Sequence, residues 1–304
     1  MKLAIVQTKP RKGEIEANLT ALGDVFAQLA RSDVPDLIVL PEAALSGYFL
    51  EGAVYDLALD AGTLAERLAH LWRERGDAGH AVDIVVGFYE NAAGTYYNAG
   101  MYLEVTPGGH RVAHVHRKMF LPTYGVFDEE RFLSRGRRLS AFETRFGKVA
   151  MLICEDAFHA IMPTIAALKG ARLIVVPSAS PGRGFGGRGE LESVERWKSM
   201  LQTYAAEHGI YVVYAGLAGF EGGKGMSGSS CVVDPRGEVV VAAPAIGAHI
   251  VRADLQPREV DLARAELPLL GDLLAVLPDL LLDDELPLPV PVRVARDHKS
   301  ESGT

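Results

Sequence analysis

Three short segments of the 304-residue chain end an apolar run on an ionisable side chain: Leu37-Ile38-Val39-Leu40-Pro41-Glu42, His114-Val115-His116-Arg117-Lys118 and Met151-Leu152-Ile153-Cys154-Glu155-Asp156. A rigid strand that delivers a side chain at its end holds it at the mouth of a crevice, where active sites are built. The three types complement one another. A thiol becomes a nucleophile once deprotonated. A carboxylate whose pKa is raised by burial accepts that proton, and an ammonium stabilises a developing oxyanion. Together they would supply a nucleophile, a proton acceptor and a charge stabiliser. Singly, each has a plainer reading. Cys154 would be a small packed hydrophobe, Glu42 a salt-bridged loop carboxylate and Lys118 a surface cation. Glu155 and Asp156 would be acids matching the dipole of a first helical turn.

Other chemistry-bearing residues carry less. Gly182 to Gly189 is rich in glycine but lacks the Gly-Lys-Ser/Thr ending of a phosphate loop, so a mobile lid is the expectation. His114 and His116 alternate on one strand, yet Cys231 and the remaining histidines have no ligand spacing, and neither metal nor organic cofactor is expected. His159 lies close to Cys154, but helical spacing turns its ring away from a papain-like pairing. Cys231, inside an alternating strand, reads as a packed residue. With only two cysteines and ample core, no disulfide is expected.

The elements that must position these groups alternate along the chain. Apolar runs at Leu3–Gln7, Leu37–Leu40, Asp83–Phe88, Val149–Ile153, Leu173–Val176 and Tyr211–Tyr214 read as strands. Helical spacing follows the first at 16–30 and returns near 64–75, 161–169 and 192–208. Hairpins are expected at 96–116 and across Asp234-Pro235-Arg236-Gly237. Such a mixture of βα units and hairpins predicts two sheets packed face to face with helices outside.

A net charge of −8 and a pI near 5.6 leave little attraction for phosphate backbones or anionic lipid, so nucleic acid and membrane are not expected partners. Arg135, Arg137 and Arg138 read as a solvated loop. The apolar stretch after Lys2 is too short for a signal peptide, and a cytoplasmic location is the expectation. Leucine-rich 267–289 is broken by prolines and acids and cannot span a bilayer. One domain over residues 1–260 is expected, then a Pro-rich arm and polar tail over 261–304.

The three segments, in this order, resemble the signature segments of the nitrilase superfamily of carbon–nitrogen hydrolases. The Glu segment is Leu40 to Tyr48, the Lys segment His116 to Glu129 and the Cys segment Ile153 to Asp156, within a likeness spanning roughly residues 1 to 260. The resemblance implies a four-layer αββα sandwich, with Glu42 as general base, Cys154 as nucleophile and Lys118 as oxyanion stabiliser beside the backbone N–H of Glu155. It implies a second active-site glutamate at Glu129, with Glu130 the adjacent alternative. Its substrate pocket maps to loops holding Tyr48, Tyr124, Phe127, Glu155, Phe158, Ser178 and Ser180. Leu121 to Glu129 resembles the glutamine-hydrolysing domain of NAD synthetases and related free-standing amidases, and with no ATP-pyrophosphatase segment in the chain a free-standing amidase is expected. The implied reaction cleaves a small-molecule amide or carbamoyl bond through a thioester, releasing ammonia or an amine. Acyl transfer to an amine or alcohol, and a silent scaffold, are the alternatives. The family likeness also implies a homodimer.

Overall fold

The computed structural model describes residues 1–184 and 191–282. Residues 185–190 of the glycine-rich loop, and residues 283–304 of the arm and tail expected over 261–304, lie outside the described residues. The chain divides into two compact units, Met1–Leu270 and Gly271–Thr304. The first half of the larger unit runs β1 (Lys2–Gln7), α1 (Ile15–Ala30), β2 (Leu37–Val39), α2 (Val54–Leu57), α3 (Ala61–Arg75), β3 (Val82–Ala92), β4 (Thr95–Thr106) and β5 (Gly109–Arg117). Next come β6 (Ala141–Thr144), β7 (Gly147–Met151), α4 (Ile161–Leu168), β8 (Leu173–Ser178), α5 (Glu192–His208) and β9 (Tyr211–Gly216). The unit closes with β10 (Ala218–Glu221), β11 (Lys224–Ser227), β12 (Cys231–Val233), β13 (Val239–Ala242), β14 (His249–Asp254) and α6 (Pro257–Glu266).

Two six-stranded sheets result, in the orders β14-β1-β2-β3-β4-β5 and β13-β12-β9-β8-β7-β6. Each has a parallel trio at its centre, β1-β2-β3 or β7-β8-β9, flanked by antiparallel strands. Alternate residues of each central strand go to different places. Leu3, Ile5, Leu37, Val39 and Val85 pack against Val149, Met151, Val175 and Val213 between the sheets. Their neighbours Ala4, Val6, Ile38, Ile84 and Val86 meet α1 and α3, whereas Ala150, Ile174, Val176 and Val212 meet α4 and α5. Burial on both faces is why these strands read as continuous apolar runs rather than alternating ones. The architecture is the expected αββα sandwich.

At the end where β3 begins, Arg145 from the β6–β7 turn joins the two sheets. Its Nε lies 3.1 Å from the buried Asp83 carboxylate, and it donates to Asp36 O and Ala81 O at 2.8 and 2.9 Å.

Several elements escape the sequence reading. Strand β6 lies in a stretch read as irregular, and β10–β11 is a four-residue hairpin holding glycines. Helix α6 begins at Pro257, and at the first turn of a helix proline forfeits no hydrogen bond. A seventh helix, Leu269–Leu281, tolerates Pro278 inside it. Among the described residues no helix is long and apolar enough to cross a membrane.

Candidate active site

Glu42 stands where the chain leaves β2. Leu40 still pairs with β3, its N–H donating to Val85 O at 2.8 Å, and then Pro41 and the left-handed Ala43 (φ 51°) turn the backbone across Gly87. A Cβ on Gly87 would stand 2.4 Å from Glu42 Cα and 2.5 Å from Pro41 O, so only glycine permits that approach. The fully buried carboxylate is bound on both oxygens. Oε1 accepts from Asn98 Nδ2 at 2.7 Å and Lys118 Nζ at 2.8 Å, and Oε2 from the N–H of Ala179 at 2.7 Å. Asn98 lies on β4 and Ala179 follows β8, so Glu42 ties together the ends of both sheets.

Lys118 follows β5 directly, its N–H donating to Asn98 O and its carbonyl accepting from Gly136. Its ammonium has no exposed surface and lies 2.7 Å from Glu129 Oε1 as well as 2.8 Å from Glu42. Burial alone would drive its pKa down, but the carboxylates of Glu129 and Glu42 outweigh that and hold it well above the ordinary lysine value. Glu129 is in turn pushed up to about 7, by burial first and by the Glu42 charge, against the pull of Lys118. Its Oε1 also accepts from the Tyr48 hydroxyl, while its Oε2 is buried with no partner. Glu130 is exposed, so Glu129 is the carboxylate on the lysine.

Cys154 arrives from the second sheet. Leu152 continues the pairing of β7 with a bond to Val175 O, after which Cys154 takes φ 46° at the head of a 3-10 turn, Cys154–Phe158. A left-handed cysteine is strained, and the surrounding packing holds it there. Its thiol is pushed up by burial and by Glu42, while Lys118 and the Ser178 hydroxyl draw it down. The structure thus brings Glu42, Lys118, Glu129 and Cys154 together from three distant stretches.

A cavity of about 240 Å³ opens beside this cluster, lined by Tyr48, Phe49, Tyr89, Phe127, Glu129 and Phe132 among others. Glu129 links the two, lining the cavity and holding Lys118. Tyr48 is fixed at every polar group: its N–H donates to Glu221 Oε2 at 2.8 Å, its carbonyl accepts from Tyr89 Oη at 2.5 Å and its hydroxyl reaches Glu129. Tyr48 and Phe127, expected as pocket residues, meet edge to face at 6.1 Å on the cavity wall. Tyr124 is half exposed and donates to both oxygens of Glu155, at 3.0 and 2.9 Å. Three further expected pocket residues do not line this cavity. Phe158 packs on Trp197 at 4.6 Å, Ser178 is buried against Cys154, and Ser180 uses its carbonyl to hold Ser227.

Asn98, Tyr89 and Glu221 were not anticipated. A polar residue within the apolar run of β4 is a signal for Asn98, whereas nothing local marks Glu221. His159 stacks on Phe120 at 3.6 Å, and Cys231 is buried with its thiol pushed up to about 12. Among the described residues no cluster of three histidine, cysteine or acidic side chains is arranged to hold a metal.

Comparison with known proteins agrees with this architecture. The chain is 29% identical over 258 residues to a glutamine-dependent NAD(+) synthetase of Thermotoga maritima, an alignment covering 84% of this chain and 42% of that protein. The chain therefore spans less than half the length of such relatives. It is 28% identical over 245 residues to a probable nitrilase of Schizosaccharomyces pombe, covering 79% of this chain and 83% of the relative. The crystal structure of a carbon–nitrogen hydrolase from Helicobacter pylori superposes with a TM-score of 0.80 at 22% identity, over 92% of this chain and 98% of the other, and shares the fold. The carbon–nitrogen hydrolase model matches residues 2–265, and the chain belongs to that family, within the nitrilase superfamily.

Proposed function

We propose that this protein hydrolyses the C–N bond of a small linear amide through a thioester on Cys154. The observation that carries the reading is the buried Lys118 ammonium between Glu42 and Glu129, acting on a buried thiol in a strained turn. Because burial favours the neutral thiol, deprotonation accompanies attack, with Glu42 as the acceptor. The oxyanion then lies against Lys118 and the N–H of Glu155, each worth about 3 to 4 kcal/mol in comparable sites. Glu42 returns the proton to the departing nitrogen and next activates the water that cleaves the thioester. The free Oε2 of Glu129 accepts an N–H of the substrate amide. The cavity of about 240 Å³ suits a small acyl group against aromatic walls. We place the enzyme in the cytoplasm as a homodimer, with water rather than an amine or alcohol as acyl acceptor.

A second reading rests on the alignment with glutamine-dependent NAD(+) synthetases. In it the amide is glutamine and the ammonia is handed to a partner site. Ammonia release across an amide panel that includes glutamine, with wild type and Cys154→Ala in parallel, tests both. Release by wild type and none by the variant is expected; equal release by the two would overturn the mechanism. Release from glutamine alone would favour the second reading.

A further inference from the structure

The turn carrying Cys154 and the loop carrying Lys118 belong to different sheets, and one buried carboxylate receives donors from both. Asp156 has no exposed surface. Its Oδ1 accepts the N–H groups of Met119 and Phe120 at 2.9 and 3.0 Å, and its Oδ2 accepts the N–H of Ile153 at 3.1 Å. His116 Nε2 lies 2.9 Å from Oδ2. Nε2 is thus the His116 nitrogen that faces the carboxylate, and Nδ1 is buried without a partner. An acid that merely matched a helix dipole would lie at the surface of a longer helix. This one is sealed in a five-residue 3-10 turn with four donors.

The donors bracket the two reactive side chains. His116, Met119 and Phe120 flank Lys118 on both sides, and Ile153 immediately precedes Cys154. We propose that Asp156 is a positioning residue that clamps the Cys154 turn to the Lys118 loop and so sets where the sulfur stands relative to the ammonium. Charge-assisted bonds of this kind are about twice as strong as neutral ones. They oppose the relaxation of a left-handed cysteine, which would carry the sulfur away. The proposal rests on the reading of Cys154 as nucleophile.

Asp156→Asn keeps the shape but replaces one oxygen by an NH₂ group. His116 can answer by changing tautomer, whereas backbone N–H groups cannot, so either Ile153 or the Met119–Phe120 pair faces a donor. The probe is iodoacetamide, whose carbon is attacked by the Cys154 thiolate with loss of iodide, followed by peptide mass against pH. The groups bearing on this thiol are Glu42, Lys118, Ser178 and Glu129. With Lys118 no longer held in register, the labelling midpoint is expected to move to higher pH. On whichever panel amide is cleaved, kcat is expected to fall about 100-fold, with KM within threefold.

A lowered melting temperature with an unmoved labelling profile and kcat within threefold of wild type would overturn the clamp, because it marks a purely structural role. If Asp156→Asn yields no folded protein, His116→Phe withdraws one donor and spares the carboxylate. A kcat three- to tenfold lower with the same upward shift supports the clamp, and wild-type values overturn it. Cys154→Ala alongside separates the two ideas: retained activity there sinks the proposed reaction, whereas an unmoved profile in Asp156→Asn sinks the clamp alone.

Discussion

A fully buried lysine is unfavourable by several kcal/mol unless it is paired on more than one side. Lys118 has Glu42 and Glu129 at 2.8 and 2.7 Å. Lys118→Met therefore leaves two carboxylates without their cation. It is expected to lower stability by about 3 to 5 kcal/mol in denaturant unfolding and kcat by about 10² to 10³. Glu129, pushed up to about 7, gives a second prediction. Protonated, it is a weaker acceptor for Lys118 and Tyr48, so kcat/KM is expected to rise with pH through an apparent pKa near 7. In Glu129→Gln that limb should vanish from the pH–rate profile. At this scale the clustering of Glu42, Lys118 and Cys154 was legible because each ends a strand in a recognisable segment, and the second glutamate beside Lys118 was legible to within one residue. Their partners were not. Asn98 and Ala179 meet Glu42 across 56 and 137 positions, a distance that leaves no local pattern.

Gly87 is where the β2–β3 pair yields to the active-site loop. Gly87→Ala would press a methyl group to within 2.4 Å of Glu42 Cα, backbone that cannot step aside. A loss of about 1 to 3 kcal/mol is expected from such overpacking, with kcat falling alongside. Gly52→Ala, where nothing lies within 4 Å, should change neither. At the other end of the sheets, burial lifts Asp83 to about 6, against the pull of the Tyr102 hydroxyl and Arg145. The folded state therefore holds a proton that the unfolded chain releases near the ordinary value of 3.8. Asp83 then contributes most below that value, and its contribution is lost as pH rises towards about 6. Thermal melts across that window should show a shallower decline for Asp83→Asn; an unchanged slope would contradict the assignment. The doubly buried strands were legible from their unbroken apolar runs. Strands β6, β10 and β11 were not, being short, partly exposed and stabilised by pairing rather than by their own pattern.

The site exists only when the two sheets close on one another, since Glu42 and Lys118 come with one and Cys154 with the other. Sequence patterning predicted the layers, but not that Glu42 would bond across them to Ala179. The proposed homodimer is tested by light scattering at micromolar concentration, where twice the chain mass of 32.7 kDa is expected and the single-chain mass would refute it. The central claim, that the acyl group passes through a covalent bond to Cys154, is tested most directly by acid quenching within the first turnover on a cleaved amide, followed by peptide mass analysis. The account predicts that the peptide containing Cys154 gains the mass of the acyl group as a thioester. Turnover with that peptide unmodified throughout, or with the acyl group on another residue, would contradict it.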